Sequence, residues 1–334
     1  MTPQTPPRPD IRLSTAPMMD WTDRFCRRFF RQFSQQTLIY TEMVTAEAIL
    51  HAEEPARWLR NDPEDGPVAL QVGGSDPERL AAAVKIAAPF GYREINLNVG
   101  CPSDRVQNGA FGACLMHEPA LVAECIAAMR EASPVDVTVK CRLGVDEQEV
   151  EETLPEFISQ VAATGCTRFT IHARKAWLQG LSPKQNRDIP PLDYDLALRI
   201  KGMFPPLEIV LNGGIATLDE AEAQLERGFD GIMMGRAAYH DTGAVLGSAD
   251  RWIFKTGQDV TAEEAVIAML PFIEEELALG TPLNRITRHM LGAFSGRPGA
   301  RMWRRILSDG AVKPGAGTEL VQEALSHVAE KRAA

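Results

Sequence analysis

The sequence has 334 residues, of which 45% are hydrophobic, and a formal net charge of −10 at pH 7. A chain of this length can bury the core of one large domain, alone or with a smaller second one. No apolar run approaches the ~20 residues needed to span a bilayer, so a membrane span is not expected. The acidic balance also argues against general affinity for nucleic acid, because a polyanion is repelled by net negative charge.

The N-terminal residues and the cysteines indicate the cellular compartment of the protein. Residues 1–10, MTPQTPPRPD, are rich in proline and lack an apolar centre, so they predict a disordered tail and not a secretory signal. Six cysteines are scattered without CxxC or metal-ligand spacing. In a long chain without an export signal, they are expected to be free thiols in a reducing cytoplasm, and no metal site is expected.

Eight short apolar runs between residues 11 and 236 predict β-strands. They cover 11–17, 38–44, 68–74, 94–100, 137–143, 168–174, 208–214 and 230–236. Stretches with helical spacing lie between most of them, and the stretch 76–91 starts with Asp76 as cap and Pro77 in the first turn. Short runs, apolar throughout, that alternate with helices indicate parallel strands covered on both faces.

Eight such units favour a closed (β/α)₈ TIM barrel, which we place over 11–242. The alternative is a doubly wound sheet, but no GxGxxG motif follows the first strand. Beyond about residue 240, helical patterns over 260–279, 284–294 and 319–332 predict a small all-helical domain, placed over 243–334.

One segment of this helical part is strongly basic. From Leu277 to Ser308 the sequence has no Asp or Glu. Within these limits lie Arg285, Arg288, His289, Arg297, Arg301, Arg304 and Arg305. A segment of this kind suits the binding of phosphates, although an arginine-rich helix can also be a solvated face. Trp303 could pack beneath the arginines or stack on a base.

Polar residues and glycines collect where the predicted strands end, and barrels carry their chemistry at the C-terminal ends of strands. These residues are Gln71, Gly73, Gly74, Asn96, Asn98, Cys101, Lys140, Arg142, His172, Arg174, Asn212, Gly213, Gly214 and Gly235. Each also has a purely structural explanation, such as a turn cap, a paired cation or a tight turn.

The turns after the last two strands, NGGI and MGRA, indicate a phosphate site, which barrels commonly build there. Arg236 adds a guanidinium fork suited to phosphate oxygens. Lys140 could neutralise a developing anion, Gln71 could bond an amide-like edge, and the Pro-Met-Met run at 17–19 could wall a flat ring. These features suit flavin mononucleotide (FMN), whereas tight turns that need glycine are the alternative explanation for the two motifs.

Nine motifs occur in the order APMMDWTD, TEMVTAEAIL, LQVGGSDPE, EINLNVGCPSDRV, VKCRLGVD, FTIHARKA, NRDIPPLDY, LNGGI and MGRAAY. Over about residues 10 to 310 the chain resembles the tRNA-dihydrouridine synthases, most closely the A subfamily. The resemblance implies an FMN-binding barrel and a helical RNA-binding domain. It implies reduction of uridine to 5,6-dihydrouridine in the tRNA D-loop, at about positions 20 and 20a. NADPH would reduce tightly but non-covalently bound FMN, whose N5 would give hydride to C6 of a flipped-out uracil.

The resemblance also implies residue roles. Cys101, in the NxNxGCP motif, would protonate C5 of the uracil, and Asn98 would contact the target nucleotide. The tRNA would contact Lys184, Arg187, Arg301 and Arg304. FMN would contact Pro17, Met18, Met19, Gln71, Lys140, His172, Asn212, Gly213, Gly214, Gly235 and Arg236. Neither a membrane nor an obligate protein partner is implied.

The chemistry of the reaction supports Cys101. Hydride addition at C6 builds an enolate that needs a proton donor near C5, and an ordinary thiol, with a pKa of about 8.5, is mostly protonated at neutral pH. The alternative is a small buried hydrophobe, which suits Cys26, Cys125 and Cys166. Cys114 and Cys141 are also expected to be structural.

The basic segment fits the same reaction, because a uracil stacked in folded tRNA must be flipped out while the phosphates are gripped. The acidic surface would then face away from the RNA. Three other functions are kept open: a flavin oxidoreductase acting on a free small molecule, a Schiff-base aldolase or lyase with Lys140 as nucleophile, and a non-catalytic RNA-binding protein.

Overall fold

The computed structural model describes residues 7–103, residue 106 and residues 109–329. Its centre is a closed barrel of eight parallel strands in chain order, in which the first strand also pairs with the eighth. This confirms the predicted TIM barrel and excludes the doubly wound sheet. The strands are β1 (Leu13–Thr15), β2 (Leu38–Thr45), β3 (Val68–Gly73), β4 (Glu94–Val99), β5 (Asp136–Arg142), β6 (Arg168–His172), β7 (Glu208–Asn212) and β8 (Gly231–Met234).

Helices follow the strands and also form the C-terminal part. The described α-helices are α1 (Arg24–Phe33), α2 (Ala46–Leu50), α3 (Ala56–Leu59), α4 (Pro77–Ala87), α5 (Pro119–Ala132), α6 (Val150–Ala162), α7 (Gln185–Asp188), α8 (Tyr194–Met203), α9 (Leu218–Glu226), α10 (Arg236–His240), α11 (Thr242–Leu246), α12 (Ala249–Trp252), α13 (Ala262–Ala278), α14 (Leu283–Thr287), α15 (Ala300–Gly310) and α16 (Thr318–Ala329). Short 3₁₀ helices cover Pro63–Asp65, Ala88–Phe90 and Gly112–His117. In the part of the chain that the structure describes, no helix is long and apolar enough to cross a membrane.

Local signals set several helix ends. The side chain of Asp76 accepts a hydrogen bond from the backbone N–H of Arg79 at 3.0 Å, and Pro77 is the first residue of α4, as predicted. After α6 and α9 the chain passes through Gly165 and Gly228, with φ of +88° and +114°. Glycine tolerates this left-handed conformation, so both helices stop there.

Polar side chains bond to one another inside the barrel, beside a small apolar cluster that includes Leu38, Val210 and Met233, which differs from the expectation of strands that are apolar throughout. The apolar residues of β4 belong to the core packed against the helices, whereas Glu94, Asn96 and Asn98 bond to side chains of other strands. The buried carboxylate of Glu94 accepts hydrogen bonds from Tyr40 of β2 and Arg168 of β6. Because neither strand neighbours β4, these side chains meet inside the barrel.

The polar interior continues to the N-terminal end of the strands. Arg168 also donates to Glu208 at 2.8 Å. Arg8, from the predicted N-terminal tail, donates to Asp136 at 2.5 Å. Residues 1–6 of that tail lie outside the described residues, and Arg8 lies against the base of the barrel.

Replacing Glu94 with glutamine is expected to lower the free energy of unfolding by about 3 kcal/mol, because removing one partner of a buried ion pair leaves a buried charge poorly compensated. The charge in question is that of Arg168, whose side chain is 2% exposed. Urea unfolding measures the change. The matched control is Glu151→Gln, whose carboxylate pairs with Arg199 and is 75% exposed, and it should cost less than about 1 kcal/mol. Equal losses in both variants would contradict the account.

The C-terminal part is helical, and no strand occurs in it among the described residues. It packs on the first helix of the barrel, because Glu276 of α13 pairs with Arg24 of α1 and the ring of Phe272 lies 6.3 Å from that of Phe25. These helices confirm the predicted helical C-terminal part. The boundary at residue 243 stays a prediction.

Two details of this region were predicted wrongly. The helix expected over 284–294 ends at Thr287, and turns lead to Gly299, whose φ is +86°. Helix α15 follows and was not predicted. Trp303 is fully buried in α15, where its Nε1 donates to the carbonyl of Met290 at 3.0 Å and its ring meets Phe294 edge-on. It therefore packs beneath the basic segment and does not offer a face to a base.

Candidate active site

The C-terminal ends of the strands bring most of the predicted site residues to one barrel mouth. Asn98 at the end of β4 donates from Nδ2 to Oε1 of Gln71 in β3 at 2.9 Å. Lys140 of β5 donates from Nζ to Oδ1 of Asn212 in β7 at 2.8 Å. Strands β5 and β7 are not neighbours, so this bond crosses the mouth.

The loop that carries Cys101 is held by hydrogen bonds from two strands. Oδ1 of Asn98 accepts from the backbone N–H groups of Gly100 and Cys101, each at 3.0 Å. Nε of Arg142 donates to the carbonyl of Gly100 at 3.1 Å. Cys101 is partly exposed, with Sγ 3.4 Å from Oγ of Ser103. The fixed backbone and the accessible sulfur are what a proton donor at the mouth needs.

Four of the other cysteines differ from Cys101 in being buried, whereas Cys114 is partly exposed as Cys101 is. Cys26, Cys125, Cys141 and Cys166 are buried. Burial raises the pKa of the Cys141 and Cys166 thiols to about 12, so they stay protonated at working pH. Cys114 is partly exposed, and its thiol donates to the carbonyl of Phe111 at 3.1 Å.

Amide groups fix the orientation of Gln71. Its Nε2 donates to Oδ1 of Asn96 at 2.8 Å, and Asn96 in turn donates to Oγ1 of Thr138 at 2.8 Å. Gln71 therefore directs its carbonyl towards Asn98. The predicted contacts of Gln71 with FMN and of Asn98 with the nucleotide stay predictions. Both side chains also support the Cys101 loop.

Burial, followed by the nearby Arg142 guanidinium, lowers the pKa of Lys140 to about 7. Burial and the charges of Arg142 and Lys140 hold the pKa of His172 well below its usual value, so His172 is neutral at pH 7. Arg174 and Arg187 add to this positive field. A mouth with this charge favours an anionic ligand.

Replacing Lys140 with methionine is expected to raise the melting temperature of the FMN-free protein. The lysine pKa is about 7 in the fold and 10.5 in the unfolded chain, so the unfolded state binds more protons between these values. The advantage of methionine should be largest at or below about pH 7 and shrink as the pH rises towards 10.5. Thermal unfolding at several pH values measures it.

The matched control is Lys201→Met, because Lys201 forms an ion pair with Asp230 at 2.9 Å outside the barrel. This control should show no gain in melting temperature at neutral pH. A Lys140→Met protein that melts below the wild type at every pH would show that the ammonium stabilises the fold, contrary to this account.

The turn after β7 needs glycine for its backbone. Gly213 and Gly214 have φ of +114° and +77°, so the tight turn alone explains both residues. The turn also touches the site, since a Cβ on Gly213 would lie 2.7 Å from Cδ2 of His172. The hydroxyl of Tyr194 donates to the carbonyl of Gly213 at 2.5 Å and fixes the turn.

The turn after β8 lies beside the apolar wall. A Cβ on Gly235 would meet nothing closer than Cβ of Ala16 at 3.4 Å, and Sδ of Met18 would be 3.8 Å away. Pro17 and Met18 are partly exposed, and Met19 is 51% exposed. An apolar wall thus stands next to an accessible backbone turn.

Arg236 has a partner that the sequence did not reveal. Its guanidinium pairs with Asp188 at 2.8 Å, and both side chains are nearly half exposed. Asp188 belongs to α7, together with Arg187, and Lys184 precedes that helix. The predicted phosphate ligand and two predicted tRNA contacts therefore lie on adjoining loops.

The residues at the mouth fit FMN. Met18 and Met19 can wall an aromatic ring, Lys140 and the amides can meet a polar edge, and the two turns with Arg236 can meet a phosphate. Once bound, FMN would supply hydride chemistry here.

Fewer positive charges of the basic segment are available to a ligand than the sequence suggests. Arg288 pairs with Asp23 and Arg297 pairs with Glu263, so carboxylates from other parts of the chain neutralise both. His289 is buried. Arg301 and Arg304 are exposed on α15, an element separate from the mouth. These two arginines remain the best candidates for contact with RNA phosphates.

Comparison with known proteins identifies a family. The family model described as dihydrouridine synthase matches residues 14–330. A tRNA-dihydrouridine(20/20a) synthase of Yersinia pestis is 55% identical over 330 residues, which cover 98% of this chain and 94% of the relative. The protein of the same name from Vibrio cholerae is 56% identical over 319 residues, covering 95% and 96%. That of Escherichia coli K12 is 54% identical over 323 residues, covering 96% and 92%.

Proposed function

Because this chain belongs to the dihydrouridine synthase family, we propose that it reduces uridine to 5,6-dihydrouridine in the D-loop of tRNA, with FMN as bound cofactor and NADPH as reductant. The relatives named tRNA-dihydrouridine(20/20a) synthases support positions 20 and 20a as the targets. We place the protein in the cytoplasm, where tRNA is present. The observation that carries the proposal is the partly exposed Cys101, fixed at a cationic barrel mouth by Asn98 and Arg142.

The reaction adds a hydride and a proton across the C5=C6 bond of uracil. With FMN held at the mouth by the residues proposed above and NADPH as reductant, the cofactor would supply the hydride for C6. The charge that this leaves on C5, C4 and O4 is quenched when Sγ of Cys101 gives its proton to C5. Lys140 and Arg142 lie close enough to Cys101 to interact with it electrostatically, so they offset the charge left on the sulfur.

Three neighbouring hydrogen bonds keep the proton donor in place. Asn98 accepts from the backbone N–H groups of Gly100 and Cys101, and Arg142 donates to the carbonyl of Gly100. Arg142 also donates to the carbonyl of Asn186 at 2.9 Å, next to Arg187. The loop that gives the proton is thereby joined to the loop with the proposed tRNA contacts. A fixed donor loses little entropy when the uracil arrives.

The uracil must leave its stack to enter the mouth. We assign the grip on the phosphates to Lys184 and Arg187 at the mouth and to Arg301 and Arg304 on α15, all of which are exposed. The rest of the chain carries more negative charge than the net −10, because these four residues are cations, and it would disfavour docking in wrong orientations.

An absorbance spectrum before and after denaturation tests the cofactor assignment. The proposal predicts a flavin spectrum and about one released FMN per chain. A colourless protein that also fails to bind added FMN would contradict it. The lowered pKa of Lys140 would then favour the Schiff-base alternative, and borohydride would trap substrate on Lys140.

A further inference from the structure

One basic residue of the 277–308 segment has a different role from its neighbours. His289 is 1% exposed. Its Nε2 lies 3.0 Å from Oδ1 of Asp23 and also 3.0 Å from Nε of Arg288, and its Nδ1 forms a hydrogen bond of 3.1 Å with the hydroxyl of Tyr239. We call Asp23, His289 and Tyr239 the clamp.

The clamp joins three parts of the chain that the sequence keeps far apart. Asp23 follows the turn with Met18 and Met19, and it caps α1 by accepting from two backbone N–H groups. Tyr239 belongs to α10, the helix that starts at Arg236. His289 follows α14 in the C-terminal part. The apolar wall with Met18 and Met19, the helix that follows the turn at Gly235 and the C-terminal helices therefore meet at the clamp.

Further contacts surround the clamp. The rings of Trp21 and Tyr239 stack with centroids 4.5 Å apart. Oγ of Ser295 donates to the carbonyl of His240 at 2.8 Å. Gly292 approaches so closely that a Cβ would lie 2.7 Å from this carbonyl oxygen. The turns after α14 thus follow the surface of α10.

The charges within the clamp are well compensated. Burial alone would raise the pKa of Asp23, but hydrogen bonding to His289 and neighbouring groups lowers that pKa to about 2. The second oxygen of Asp23 accepts from Arg288 at 2.6 Å. Buried polar groups of this kind add less stability than their number suggests, and their attested use is to fix one arrangement among several.

We propose that the clamp positions the C-terminal helices relative to the barrel mouth, so that an RNA held by Arg301 and Arg304 presents its uridine to Cys101. Asp23, His289 and Tyr239 are positioning residues and touch none of the reacting atoms. This proposal depends on the proposed function, because it assigns the C-terminal helices to tRNA binding.

The test uses Tyr239→Phe, which keeps the ring on Trp21 and removes only the hydroxyl. Loss of one buried hydrogen bond should raise KM for tRNA about fivefold to tenfold, with kcat unchanged within about twofold. FMN content and the rate of flavin reduction by NADPH without tRNA should equal those of the wild type. Asp23→Asn, which preserves the helix cap, should raise KM in the same way.

The control is Tyr92→Phe, which removes a buried hydroxyl that donates to the carbonyl of Leu59 at 2.9 Å. It should lower stability without changing KM. A wild-type KM for Tyr239→Phe would overturn the proposal, as would a fall in kcat or in FMN content at unchanged KM.

Hydrogen exchange separates this proposal from the proposed function. Tyr239→Phe should speed amide exchange in residues 288–310 and leave the barrel strands unchanged. If the wild type fails to reduce tRNA while this change in exchange is seen, the proposed function is wrong and the clamp between the two parts stands. If the wild type reduces tRNA and exchange in 288–310 is unaffected by the variant, the clamp is wrong.

Discussion

Replacing Cys101 with alanine is expected to reduce the rate of dihydrouridine formation in tRNA by a factor of about 10² to 10⁴, the usual contribution of a positioned general acid. The variant should still bind FMN, and NADPH should still reduce the flavin, because Cys101 lies on the loop after β4 and outside the proposed phosphate turns. Single-turnover assays with pre-reduced enzyme and unmodified tRNA measure the step that needs the proton.

The matched control is Cys114→Ala. Cys114 is also partly exposed and lies in the segment after Cys101, but its thiol is committed to the carbonyl of Phe111. It should react at the wild-type rate. A wild-type rate for Cys101→Ala would show that Cys101 is not the proton donor, and water or another side chain would have to protonate C5.

Reversing the charge of Arg301 and Arg304 together, as Arg301→Glu and Arg304→Glu, is expected to weaken tRNA binding about 100-fold or more near physiological salt. Each lost phosphate contact takes away an electrostatic attraction and the favourable release of counterions from the RNA. Each new carboxylate also repels the phosphates of the RNA backbone. The slope of log Kd against log salt concentration should also fall by about two, because each lost phosphate contact lowers this slope by about one. FMN content should not change, because α15 is separate from the mouth.

The control variant changes the net charge of the protein by the same amount, but on a surface away from α15. Arg199→Glu with Arg227→Glu alters two exposed arginines on the outside of the barrel, where they pair with Glu151 and Asp195. If both double variants lose the same affinity, the effect is only one of total charge, and α15 does not form the interface.

Much of the fold was readable from the order of local patterns. Eight apolar runs separated by helical spacing favoured a barrel over a doubly wound sheet, and caps such as Asp76 and Pro77 indicated helix ends. The polar interior was missed, because Glu94 and Asn96 alternate with apolar residues in a strand that is buried on both faces. Period-two alternation usually indicates a solvated face, whereas here it faces the inside of the barrel.

The site was predictable where one short motif carries both chemistry and geometry. Asn98, Gly100 and Cys101 lie within four residues, and their hydrogen bonds are local. The pairing of Arg236 with Asp188 and of His289 with Asp23 was not predictable, because the partners are 48 and 266 residues apart. A single sequence contains no signal that brings such residues together. For the same reason, the arginines of the basic segment seemed unpaired, whereas Arg288 and Arg297 pair with carboxylates from other parts of the chain.

Mass spectrometry of an unmodified tRNA after incubation with the protein, FMN and NADPH shows whether the protein is a tRNA-modifying reductase. We expect D-loop fragments to gain two hydrogens on uridine, the gain to require NADPH, and free uridine and uracil not to be reduced. A D-loop left unchanged by flavin-loaded protein that consumes NADPH with a free pyrimidine would contradict the proposed function, and the protein would be a reductase of small molecules.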